Sequence, residues 1–92
     1  MNFIEETAAA QKELYFRMLD KLDALRDKGL NLLDAYFEIE NDPDLKETVG
    51  KAMERTSKEI AFVEDRIKEY TQLRFSKAEI EALKIERALT LN

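Results

Sequence analysis

Two apolar stripes of helical spacing, separated by a single turn, constrain this chain more than anything else in it. Apolar or small residues at Ile4, Ala8, Tyr15, Met18, Leu22, Leu25, Gly29, Leu32, Tyr36 and Ile39 recur in alternating steps of three and four, with polar Gln11 filling the one gap. After Asn41-Asp42-Pro43-Asp44, the same steps resume at Val49, Met53, Thr56, Ile60, Val63, Ile67, Tyr70 and polar Arg74. Each series is the seam of a long amphipathic helix. If the chain folds back at the turn, facing residues have position numbers that total 85. This pairs Tyr36 with Val49, Leu32 with Met53, Gly29 with Thr56, Leu25 with Ile60, Leu22 with Val63, Met18 with Ile67 and Tyr15 with Tyr70, and it sets Gln11 against Arg74. Two independently read patterns agree over seven layers, which predicts an antiparallel helical hairpin over about 3–41 and 43–73.

The local chemistry agrees. Asp42 before Pro43 is a helix N-cap followed by proline at the first helical position, and Asp44 and Glu47 place negative charge at the positive end of the second helix. Ser76-Lys77-Ala78-Glu79 has the Ser-x-x-Glu capping-box pattern, so a third helix is expected over about 77–89. Its apolar residues lie on two sides, Ala78, Ala82, Ile85 and Leu89 on one and Ile80, Leu83 and Leu91 on the other. The expected place for this helix is across or beyond the open end of the hairpin. Gly29 resembles a helix end locally, with Lys28 before it and Leu30 after it. The heptad phase nevertheless runs through it, and small Thr56 is its predicted neighbour, so Gly29 reads as a point of close approach inside one continuous helix.

The fold class expected is therefore all-α: one helical domain spanning residues 1–92, associated as a homodimer or higher oligomer. A chain of 92 residues buries only about two thirds of its unfolded surface, so a second subunit would help. With 38% charged residues, two glycines and one proline, the composition is that of a helical bundle or coiled coil.

Composition also narrows function. There is no cysteine, which removes disulfide, iron-sulfur, zinc-thiolate and thiol-nucleophile chemistry. There is no histidine either, hence no commonest general base, transition-metal ligand or switch near neutral pH. No catalytic residue, cofactor or metal is assigned. The start, MNFIEETAAAQKEL, lacks the basic and apolar regions of a secretory signal, and no run approaches a membrane span, so a cytoplasmic protein with no membrane partner is expected. The net charge of −5 disfavours direct contact with nucleic acid.

Glu40, Asp42, Asp44 and Glu47 invite comparison with a calcium loop. Counted from Asp42, however, the fifth, sixth and twelfth places hold Lys46, Glu47 and Met53 where an oxygen ligand, glycine and glutamate are needed, and helix capping explains these acids. In outline the chain resembles the all-helical chorismate mutases, with a long first helix and two shorter ones. That resemblance implies an intertwined dimer holding a dicarboxylate between several inward arginines and a lysine. The sequence departs from it where the chemistry lies, because Arg74 is the only arginine on either seam.

Two surfaces remain. Beside the main seam of the first helix runs a second stripe: Phe16 and Leu19, then Asp23 and Arg26, then Leu30, Leu33 and Phe37. The third helix is expected to cover one apolar end. Leu30, Leu33 and Phe37 are then either ordinary rim or, with off-seam Phe62 as an edge, a subunit or partner interface, and a contiguous patch beside an already satisfied seam favours the interface. The function this implies is a non-enzymatic regulator, inhibitor or adaptor that presents an apolar helical face to another protein. The alternative rests on the acidic row Glu6, Glu13, Asp20, Asp27 and Asp34, which as a nucleic-acid mimic would occupy the DNA or RNA site of a partner. Residues seven apart stand about 10 Å apart along a helix, wider than the phosphate repeat. Arg17, Lys21, Arg26 and Lys28 also run beside the row, so a solvated outer face is the simpler reading.

Overall fold

The computed structural model describes residues 3–90, with side chains described from residue 6; the side chain of Ile4 and the whole of Leu91 lie outside the described residues. Helix α1 spans Phe3–Glu38, α2 spans Pro43–Arg74 and α3 spans Lys77–Thr90. Among the described residues there is no strand.

Helix α1 stops at Glu38 rather than near residue 41. The Ile39 amide still donates to the Ala35 carbonyl at 3.2 Å, but the following residues must leave the helical region ahead of Pro43, since the proline ring crowds the residue before it. Asp42 then caps α2 as expected, its Oδ1 accepting from the Leu45 amide at 3.0 Å. The capping box of α3 is closed in both directions. The Glu79 amide donates to Ser76 Oγ at 3.1 Å, and the Ser76 amide donates to Glu79 Oε1 at 3.3 Å.

Helices α1 and α2 pair as the hairpin that the two seams dictate. Tyr15, Leu22, Leu25 and Val63 are the buried apolar side chains, and all four are seam residues. Thr56 is 2% exposed, and its hydroxyl is satisfied within its own helix by donating to the Ala52 carbonyl at 2.9 Å. The pairing of Gly29 with Thr56 also holds. A methyl group placed on Gly29 would meet Thr56 Cγ2 at 3.8 Å and Ile60 Cδ1 at 3.9 Å. These are ordinary van der Waals separations, and no glycine has a positive φ. The helix is continuous through Gly29, but the neighbouring helix leaves room for alanine, so close approach is not what requires glycine here.

The contacts of the chain divide into two compact units, residues 21–64 and residues 1–20 with 65–92. The first is a two-helix hairpin closed by the Asp42-Pro43 turn. In the second, α3 folds back beside α1: Arg87 donates to Asp20 at 2.7 Å, and Lys12 pairs with Glu86 at 2.9 Å. Of the two apolar sides of α3, the one carrying Ile80 and Leu83 turns inward and is half-buried, while Ile85 and Leu89 remain 61% and 72% exposed. An aromatic group fills the closed end of this unit. The Phe75 ring lies 5.8 Å from that of Tyr15 and 6.3 Å from that of Tyr70. The expected Gln11–Arg74 pair is replaced by two separate contacts. The Tyr70 hydroxyl donates to the Gln11 carbonyl at 3.4 Å, and the Arg74 guanidinium, one turn further along its own helix, stacks 4.1 Å above the Tyr70 ring.

Candidate functional site

The second stripe of α1 meets two different fates along its length. Phe16 and Leu19 are half-buried in the unit that contains α3. Leu30, Leu33 and Phe37, each about one helical turn from the next, are 61%, 37% and 72% exposed. In residues 21–64 only two helices are present, and a two-helix hairpin covers one seam. A second apolar stripe on the same helix therefore has nothing to pack against. Side chains of this size are ordinary when scattered on a surface, whereas three in a row at the spacing of one helix face form a patch.

Phe62 is exposed to 62%, yet the structure does not bring it beside the other three. It lines a shallow hollow with Lys21, Lys58, Glu59 and Val63. Lys21 precedes Leu30 by nine residues, which is half a turn around α1, so the Phe62 hollow and the leucine stripe look in opposite directions from the hairpin. Sequence spacing alone could not reveal this, because the side on which an α2 residue emerges depends on how the hairpin closes.

The acidic row is exposed at all five positions, but it is not a bare column of carboxylates. Glu13 accepts from Arg17 at 2.6 Å along the same helix, and Asp20 is held by Arg87 of α3. The Arg87 side chain is only 16% exposed, so the pairing of Asp20 belongs to the attachment of α3 rather than to an outward-facing electrostatic surface. Among the described residues, no group of three or more acidic side chains is placed to hold a metal ion, and no helix is long and apolar enough to cross a membrane.

Three exposed or structural features escaped the spacing argument. Phe75 lies just beyond α2 and closes the aromatic group. Thr71 is 6% exposed, its hydroxyl donating to the Ile67 carbonyl at 2.9 Å. Ile67, Thr71 and Phe75 in steps of four were the available signal, a flank of α2 that only a third helix makes useful. Leu14 and Leu73, 47% and 81% exposed, line a hollow with Met18, Tyr70 and Arg74 on the unit containing α3.

Comparison with protein-family models, with curated proteins and with solved structures finds no match to this chain.

Proposed function

We propose that this protein is a non-enzymatic interaction protein, a small regulator, inhibitor or adaptor, and that it works through the Leu30, Leu33 and Phe37 face of α1, beginning with a second copy of itself. The observation that carries the reading is the exposure of those three side chains in one stripe on a hairpin that has no third helix to cover them. Apolar anchors of this kind supply affinity, and the charges around them govern encounter and choice of partner.

The test is Leu33→Asp, which places a carboxylate in the middle of the stripe at a position 37% exposed. Self-association measured by sedimentation is expected to disappear while the helical circular dichroism signal stays unchanged. Retained association in a folded variant would remove this face from the account. A nucleic-acid mimic gives a different result: its partner is displaced by duplex DNA and released steeply by salt.

A further inference from the structure

The hairpin formed by residues 21–64 carries opposite charge on its two sides, and each side has its own exposed aromatic residue. On the front, Leu30, Leu33 and Phe37 are accompanied by Asp27 and Asp34, three residues before and four after Leu30 and hence its neighbours on the helix surface. Asp23 continues the same stripe, and Arg26 is the one base among these acids. On the back, Lys21 and Lys28 lie nine and two residues from Leu30, each half a turn away. Lys21 and Lys58 line the hollow that holds Phe62, with Glu59 its only acid. Arg55, two turns before Phe62, extends that strip. All these charged residues are exposed.

A two-fold contact of the front with itself is disfavoured by these charges. Such a contact sets a face carrying three acids and one base, Asp23, Asp27, Asp34 and Arg26, against a second copy of itself, like net charge against like. The back of a second copy offers the complement, an exposed ring set among lysines and an arginine. We infer that copies of this chain associate head to tail, the acidic Leu30, Leu33 and Phe37 face of one hairpin seated on the basic Phe62 face of the next. This rests on the proposed use of the Leu30 face and adds its partner surface. It also places Phe62 and the leucine stripe in a single interface although they point in opposite directions from one chain. Each copy then contributes two patches, one to the copy before it and one to the copy after it. A contact of this kind does not close on itself at two copies. It propagates into a ring or an open chain.

The test pairs two variants, Leu33→Asp to disable the front and Phe62→Asp to disable the back, both at exposed positions and both checked for helicity. By sedimentation velocity at low salt, the wild-type mass is expected to grow beyond two copies with concentration. Each variant alone is expected to remain a single chain. Mixed in equal amounts, they are expected to form a complex of two chains and stop there, because each supplies the face that the other lacks. Should either substitution unfold the protein, Asp34→Lys and Lys28→Glu replace them in the same mixing design. If Phe62→Asp assembles like the wild type while Leu33→Asp does not, the head-to-tail arrangement is overturned and the Leu30 face survives as an interface of another kind. If Leu33→Asp assembles like the wild type, both fall. A wild-type plateau at two copies, or a mixture that stays monomeric, also overturns the arrangement.

Discussion

Replacing Gly29 with alanine is expected to stabilise the protein, and the magnitude follows from the surroundings of that residue. Helical glycine costs about 1 kcal/mol relative to alanine, because its unfolded chain has more freedom to lose. No compensating reason for glycine is present: φ is not positive, so a side chain meets no backbone strain. The added methyl would sit 3.8 Å from Thr56 Cγ2 and 3.9 Å from Ile60 Cδ1, touching both without overlap. Partial burial of that methyl contributes up to about 0.8 kcal/mol more. The expected gain is thus about 1–1.5 kcal/mol, or roughly 4–10 °C in Tm for a chain of this size. Urea unfolding followed by circular dichroism measures it directly, with an unchanged denaturant slope as the sign that only stability has moved. Gly29→Leu is the contrasting case. Its branch reaches past the contact distance into Thr56 and Ile60, and overpacking should cost about 1–3 kcal/mol. A loss of stability in Gly29→Ala would refute the reasoning, because it would mean that α1 and α2 approach more closely at this layer than their side-chain separations allow.

The remaining expectations concern the elements that hold the chain in shape. Asp42→Ala removes the acceptor for the Leu45 amide and should cost about 1 kcal/mol, read as a lower urea midpoint. Leu25→Ala, at a seam position 9% exposed, should cost about 2–4 kcal/mol and serves as the scale for a core residue in the same melts. A double-mutant cycle on Asp20 and Arg87 should give a coupling of about 0.5–1 kcal/mol. The same cycle on Lys12 and Glu86, whose side chains are 42% and 48% exposed, should give less, and the reverse order would show that Arg87 does not anchor α3.

The hairpin was legible in the sequence because its determinants are local and repeated. Each seam follows from the 3.6-residue period, Asp42-Pro43 and the Ser76–Glu79 box mark helix starts by their own hydrogen bonds, and the Gly29–Thr56 pairing follows from a constant register. What was not legible depended on contacts distant in the chain. The two apolar sides of α3 are alike in composition, and packing beside α1, not spacing, selected Ile80 and Leu83 over Ile85 and Leu89. The spacing sets Phe62 off its seam, but its side of the hairpin depends on the sense in which α2 returns. Spacing does not mark Phe75, because a single aromatic residue after a helix end carries no period. The Leu30, Leu33 and Phe37 stripe was legible as apolar surface, and its exposure follows from the absence of a third helix in residues 21–64.

Self-association through the Leu30, Leu33 and Phe37 face requires that the wild-type chain is not alone at working concentration. Light scattering of the purified protein across the micromolar range is expected to give a mass above 10.8 kDa that rises with concentration. A mass fixed at 10.8 kDa throughout would contradict it, because the exposed stripe on α1 would then have no second copy to cover it.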